Sequence, residues 1–479
     1  MQADVRKMDY KKIGLKSGIE IHQQLGTQKL FCPCPSEVKQ DKPEIIIRRE
    51  LRPLAGETGK IDPAALFEKK KRKFYLYEVY ADSNCLVEMD EEPPHEVNPE
   101  SLNAALLIAK MLHCEIPDTI QVMRKTVVDG SNTSGFQRTA LIAMNGYVDT
   151  SFGKVGVQTI CLEEDAARRT AETPDSVTFR LDRLGIPLVE IATAPDCKTP
   201  EQVKETAEKL GSLLRSTGKV MRGIGTIRQD INISVTGHPR VELKGVQELP
   251  QMPKIVEIEI ERQLAAVKSG EKLESHVRNI KDDLTSKFLR PMPGSARMYP
   301  ETDIPLVQID KKKIAEMKIP ESFEEREKKF LKLGLSADLA HQAVRSPELE
   351  TFEKFLAMFK DINPNLVVST LLSIEAEVKR KTGKEVKFTE QQFESVFELL
   401  NDGKVSKESI PEVFIGLSKG EKLGDLAGKF TKLSDADLKK EIEKLKHELK
   451  NMPPEKITGI IIGKLRGKAE PKKIIEMMK

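Results

Sequence analysis

The feature that most constrains this chain is an alternation of apolar and charged residues in its first 250 positions. Between Ile227 and Val235, the apolar Ile227, Ile231, Ile233 and Val235 alternate with Arg228, Asp230, Asn232 and Ser234. A two-residue period requires a strand with one buried and one polar face. Thr236-Gly-His-Pro239 reads as a turn. Arg240 to Val246 then alternates again, with Glu242 and Lys244 polar and Val241 and Leu243 apolar. The two segments predict a β-hairpin. Gly18 to Leu25 repeats the theme, placing Ile19 and Ile21 on one face and Glu20, His22 and Gln24 on the other.

Helices are marked by their ends. Asn98-Pro99-Glu100 supplies an N-cap, a proline at the first helical position and an acid in the first turn. Leu102, Ala105, Leu106, Ala109 and Leu112 then form an apolar stripe. Thr199-Pro-Glu-Gln202 predicts a capping box, and Gly218 is placed to end that helix. Near residue 310 the pattern changes to helical periodicity rich in Lys and Glu. Pro320-Glu-Ser322 starts one segment, Thr389 to Leu400 forms another, and Ser434-Asp-Ala-Asp437 caps a third. There is no sustained heptad and no internal repeat. The fold class is therefore α+β, sheet-based at first and all-helical afterwards.

At 479 residues the chain is long enough for two to four domains. With 39% apolar and 32% charged residues it is globular. Its net charge of +3 means that any nucleic-acid partner is held by local basic patches, not by a basic chain. No apolar run is long enough to span a bilayer, and Met1 to Lys12 lacks the apolar middle of a signal peptide, so a cytoplasmic location is expected. Six cysteines in such a chain do not make a disulfide framework. Only Cys32 and Cys34 are close in sequence. With Cys85, Cys114, Cys161 and Cys197 scattered, ordinary thiols are expected, zinc being the alternative.

The polar strand faces carry the chemistry. Glu20, His22, Glu190, Asp230 and Glu242 recur there, and Glu163, Glu164 and Asp165 end another β-type run. Convergent carboxylates repel one another unless a cation joins them. Oxygen ligands with one imidazole suit Mg²⁺ or Mn²⁺, the more so when phosphates complete the shell. The competing reading is a solvated strand face, on which single acids are common. Recurring acids, rather than Thr, Lys and Ser, weigh against it. Arg124, Lys125, Arg138, Arg183, Arg228 and Lys244 lie nearby in sequence and can stabilise phosphate. Asp129 to Gly135 is a turn-rich loop whose N–H groups could hold phosphate, or a plain tight loop; it lacks the lysine of a Walker loop. The run Lys69 to Lys73 is either an RNA-backbone contact or a solvated helix face.

Longer motifs resemble a known family. Gly18-Ile-Glu-Ile-His22-Gln-Gln-Leu25 with Lys29-Leu-Phe-Cys-Pro-Cys34 is similar to the opening of the E-type subunit of archaeal glutamyl-tRNA(Gln) amidotransferases, in the B/E family. Similar matches follow in order at Cys85 to His95, Met123 to Arg138, Cys161 to Ala167, Leu181 to Glu190, Thr226 to Asp230, Val241 to Glu248 and Arg297 to Asp303. Gly467 to Pro471 resembles the end of the tail shared by the B and E types.

The resemblance implies an antiparallel-sheet cradle catalytic domain over 1–310, a helical domain over 311–405 and a tRNA-binding tail over 406–479. It implies ATP- and Mg²⁺-dependent phosphorylation of the glutamate carried by mischarged tRNA(Gln), followed by amidation with ammonia from a partner subunit. By motif, Glu20, His22 and Glu164 fall at the metal and catalytic positions, with Asp230 and Glu242 as further metal-pocket acids. Lys125 falls at a catalytic position, and Asp129, Asn132, Arg183 and Lys244 at nucleotide or acyl-end contacts. Tyr299 and Arg297 lie in matching segments, and Lys464, Arg466 and Lys468 are candidate tRNA contacts.

The chain departs from the family in one place. The E type usually carries a module resembling an insertion of bacterial aspartyl-tRNA synthetase before its Arg-Met-Tyr-Pro motif, and residues 277–291 leave no room for it. An asparaginase-like D-type subunit is the expected partner. An amidase-like A-type subunit with a small C-type one, as for the B type, is the alternative. A non-catalytic tRNA-binding role and a ligase acting on a free carboxylic acid are the competing functions.

Overall fold

The computed structural model describes residues 8–53, 55, 59–71, 73–270, 273–292, 298–430, 435–449, 454–465, 469 and 471–478. They divide into two compact units, Met1–Pro320 and Glu321–Lys479.

The first unit is built on strands β1 (Lys16–Gln24), β2 (Ile45–Arg49), β3 (Phe74–Val79), β4 (Thr119–Ile120), β5 (Val122–Thr126), β6 (Phe136–Thr150), β7 (Gly153–Glu164), β8 (Arg168–Glu172), β9 (Ser176–Arg180), β10 (Pro187–Thr193), β11 (Ile227–Ser234), β12 (Val241–Val246), β13 (His276–Ile280), β14 (Ser286–Pro291), β15 (Met298–Pro300) and β16 (Val307–Gln308). Ten of them form one sheet in the order β14-β13-β12-β11-β1-β10-β7-β6-β5-β15. Its ladders are antiparallel except β12 with β13. A four-stranded sheet, β2-β3-β9-β8, and the β4–β16 pair complete the unit. The α+β class is the one expected.

Helices Pro99–Met111, Pro200–Ser216 and Met252–Ser269 pack on one face of the large sheet. Ile19, Ile21, Ile191, Ile231 and Leu243 from the strands meet Ile108, Leu210, Val256 and Ile260 from the helices in one core, all fully buried. Burying a side chain of this size is worth about 1.5–3 kcal/mol, so this face fixes the strand parity. The alternate residues then emerge on the opposite face.

The helix starts follow their caps. The Asn98 side chain accepts from the N–H groups of Glu100 and Ser101. Thr199 accepts from Gln202, but Gln202 Oε1 turns back to the Lys198 N–H, one residue before the cap, so the box closes one residue early. Gly218 follows the same helix with φ +65°. The hairpin of β11 and β12 forms with Ile233 opposite Val241.

The second unit is helical. Ser322 and Thr389 both form full capping boxes, starting helices Phe323–Lys332 and Glu390–Asn401. One core runs from Phe323 to Leu426, across position 405, and a smaller one runs from Leu438 to Ile474. Ser434, expected as a cap, lies outside the described residues. Among the described residues no helix is long and apolar enough to cross a membrane.

Candidate active site

The polar face of the ten-stranded sheet lines a pocket of about 510 Å³. Ladder register explains which residues meet. Glu20 on β1 stands opposite Asp230 on β11, and His22 stands opposite Glu190 on β10. Glu242 on β12 lies opposite Asn232, whose side-chain amide donates to Glu20 at 2.8 Å. Two ligand-type clusters result: Glu20, Asp230 and Glu242, and His22, Glu163 and Glu190. Within each cluster the ligand atoms lie within 4.8 Å of one another.

A lysine is inserted into each cluster. Lys244 Nζ lies 2.5 Å from Asp230 and 2.6 Å from Glu242. A β-bulge puts it there: Lys244 and Gly245 together oppose Asp230, and Gly245 adopts φ +87°. Such a bulge re-aims the preceding side chain, and glycine takes that conformation without steric cost. Lys125 Nζ lies 2.5 Å from Glu163 and 3.7 Å from Glu190. Glu163 also accepts from Thr139 and Gln137 at 2.9 and 3.1 Å.

The electrostatics follow from this crowding. Burial, reinforced by the Glu242 and Glu190 carboxylates, raises the Glu20 pKa above the usual carboxylate range. Burial disfavours the His22 imidazolium, but its 3.1 Å hydrogen bond to Glu190 and the surrounding carboxylates outweigh that and raise its pKa. Burial opposes ionisation of Glu190 as well, yet Lys125 and His22 hold it well below the usual range. Lys244 is buried, which favours its neutral form, but Asp230 and Glu242 keep it charged.

Glu164 lies apart from these clusters. Expected beside Glu20 and His22, it does not line this pocket. Successive strand residues point to opposite faces, and it is Glu163 that joins His22. Glu164 is buried in a separate small cavity with Phe31, Asn132, Thr133 and Arg138. There it accepts from the Arg138 N–H at 3.0 Å and lies 3.4 Å from the Arg138 guanidinium. Burial raises its pKa against the pull of Arg138. Arg138 continues to Glu301 at 2.9 Å, and Glu301 also binds Arg124 at 2.5 Å.

The loop residues are likewise placed apart from the pocket. Asp129 folds onto Ser131, accepting from its N–H and hydroxyl. Asn132 is buried next to Glu164. The loop is tied down by the Tyr75 and Tyr77 hydroxyls, which donate to the carbonyls of Val128 and Gly130. Arg183 braces the chain behind the site, donating to the carbonyls of Ala166 and Ala167. Of the expected residues, the pocket therefore gathers Glu20, His22, Lys125, Asp230, Glu242 and Lys244, and leaves out Glu164, Asp129, Asn132 and Arg183.

Three of the cysteines meet in a way their spacing does not show. Cys85, expected to be scattered, joins the close pair Cys32 and Cys34 beside Glu88, all ligand atoms within 4.8 Å. The Cys32 thiol donates to Glu88. When its hydrogen turns to Cys85 instead, that thiol is brought down to about 7, while burial and Glu88 push Cys34 up to about 11. Three thiols and a carboxylate form a donor set suited to tetrahedral Zn²⁺. In the basic run, Lys71 pairs with Glu68 and Lys73 with Glu172, and Arg72 lies outside the described residues. Lys464 pairs with Glu448 at 3.4 Å, and Arg297, Arg466 and Lys468 lie outside the described residues.

Residues 15–315 match the family model described as the GatB/GatE catalytic domain. Curated relatives named as the E subunit of glutamyl-tRNA(Gln) amidotransferase match almost end to end. Those of Methanocaldococcus jannaschii and Sulfurisphaera tokodaii are each 35% identical, with 99% of this chain and 99% of the relative aligned. That of Methanococcus maripaludis is 35% identical over 85% of this chain and 86% of its own length. The first two alignments run over 624 positions, against 479 residues here, so those relatives carry long stretches with no counterpart in this chain.

Proposed function

This chain belongs to the GatB/GatE family, and from that membership we propose that it is the subunit of a glutamyl-tRNA(Gln) amidotransferase that activates the glutamate of mischarged Glu-tRNA(Gln) with ATP. The carboxylate is phosphorylated, and the phosphate is then displaced by ammonia from a partner subunit to give Gln-tRNA(Gln). An asparaginase-like D-type subunit is the partner this reading favours. A free carboxylate is a poor acyl donor to ammonia, whereas an acyl phosphate carries a good leaving group.

The single observation that supports this reading most is the pairing of two carboxylate clusters in one pocket. Carboxylate oxygens with one imidazole fit Mg²⁺ or Mn²⁺. Bound Mg²⁺ would offset the charge that builds up on the transferring phosphoryl group. Lys125 and Lys244, on opposite flanks, bring fixed positive charge to the same face. Glu190 accepts from His22 and sets the imidazole's orientation. Glu163, held by Lys125, Thr139 and Gln137, has little freedom to move, which favours a preorganised site.

The test is ATP hydrolysis by the purified chain with Mg²⁺ and ammonium chloride. The proposal expects hydrolysis stimulated by Glu-tRNA(Gln), with Gln-tRNA(Gln) as product. Stimulation by free glutamate instead would assign the site to a different ligase. Binding of tRNA without any ATP turnover would make the chain a non-catalytic subunit.

A further inference from the structure

Five lysines and arginines line the pocket, and three of them are neutralised locally. Lys125 is held by Glu163, Lys244 by Asp230 and Glu242, and Arg228 by Asp165 at 2.7 Å. The other two, Arg240 and Arg290, form no ion pair or side-chain hydrogen bond among the described residues.

The topology sets these two on one flank. Arg240 precedes β12 by one residue and Glu242 by two, so it emerges on the same face as Glu242, about 7 Å along the chain. Glu242 is level with Val277 on β13, and Val277 is level with Arg290 on β14. Arg290 therefore lies two strand spacings from Glu242, about 10 Å away. The acids of the adjoining small cavity are already engaged. Asp62 caps helix Pro63–Lys69, Glu68 pairs with Lys71, and Asp129 binds Ser131.

An exposed arginine is often merely solvated. Here two of them line a pocket whose other cations are all matched, and both guanidinium groups on this flank are left without a carboxylate partner among the described residues. Guanidinium groups present donors that fit phosphate oxygens in two-point contacts.

We propose that Arg240 and Arg290 form an anion clamp that receives phosphate oxygens of a substrate at the β12–β14 flank of the pocket. The inference rests on the reading of this pocket as one that handles ATP and a charged tRNA. Both substrates bear phosphate: the triphosphate tail of the nucleotide and the backbone of the tRNA acceptor end.

Binding measured directly separates the two sources and does not depend on turnover. Affinities of the full chain for Mg·ATP and for uncharged tRNA(Gln) are compared between wild type and the double variant Arg240→Gln/Arg290→Gln. The proposal expects one affinity to fall about tenfold or more, with an unchanged melting temperature and most of the loss restored by the Lys pair. If tRNA is the source, the dependence of its log affinity on log salt flattens by roughly 0.7–0.9 per lost phosphate contact. If the nucleotide is the source, only the Mg·ATP affinity changes. Both affinities within twofold of wild type would overturn the proposal. A wild-type chain that binds both substrates but never hydrolyses ATP would instead overturn the reaction and leave the clamp standing.

Discussion

Glu163 and Glu164 are consecutive residues of β7 whose carboxylates enter different cavities. Glu163 reaches His22, Lys125 and Glu190, while Glu164 turns to Arg138 behind the sheet. Their substitutions should therefore differ in kind. Glu163→Gln should lower Glu-tRNA-dependent ATP hydrolysis by about 100-fold or more, with the melting temperature preserved. Glu164→Gln, which mimics the protonated acid that burial favours, should keep activity within about tenfold and act mainly on stability. Equal kinetic losses in the two variants would refute the division.

Lys244 supplies the positive charge that Asp230 and Glu242 need. Lys244→Met should leave those carboxylates uncompensated and cost about 3 kcal/mol. Millimolar Mg²⁺ should recover part of that loss, because a divalent cation can take over the neutralisation. Thermal melts with and without Mg²⁺ check this. A variant whose melting temperature is as insensitive to Mg²⁺ as a protein without a metal site would count against a cation position between these acids.

The thiol cluster should bind about one Zn²⁺ per chain, released by a strong chelator with a fall in melting temperature. Metal analysis of the purified chain measures the ratio. Cys85→Ser should abolish retention, since its thiol is the one most easily ionised. Cys197→Ser should not, because Cys197 is buried elsewhere in the sheet–helix core.

Glu301 gives a pH-dependent stability. Burial works against its ionised form, but Arg124 and Arg138 hold its pKa below the ordinary value. A depressed carboxyl pKa contributes stability that is present above the unfolded-state pKa of about 4.3 and is lost as pH falls through the folded one. Glu301→Gln should therefore cost most near neutral pH, about 3–5 kcal/mol for breaking a buried network. The difference from wild type should shrink as denaturation is repeated at progressively more acidic pH. A constant difference would mean that charge is not what Glu301 supplies.

Much of the pocket was legible because β1, β11 and β12 alternate cleanly. Ile19 and Ile21 fix the parity that sends Glu20 and His22 to the other face, and Ile231 and Leu243 do the same for Asp230 and Glu242. The same parity separates Glu164 from Glu163: Ile160 and Leu162 are core residues, so Cys161 and Glu163 belong to the polar face and Glu164 shares the core parity. Motif resemblance pointed to Glu164, the acid of that pair that shares the core parity. Arg290 was hidden for another reason. It reaches the pocket only through two ladder steps across β13, a relation between strands that no local window contains. The meeting of Cys85 with Cys32 and Cys34 depends on contacts about fifty residues apart in the chain, beyond any spacing rule.

The position of β1 has a consequence for how the chain is made. Of the described strands in the ten-stranded sheet, β1 is the earliest in the chain, yet it sits at the centre, and its two neighbours are β10 and β11. At ordinary ribosomal rates, roughly ten to forty seconds separate its emergence from that of the strands it needs. During that interval Ile19 and Ile21 have no native sheet to join. Pairings this distant are also slow to close. The apolar face of β1 thus stays without its partners over that interval, and the pocket cannot exist until most of the first unit has left the ribosome.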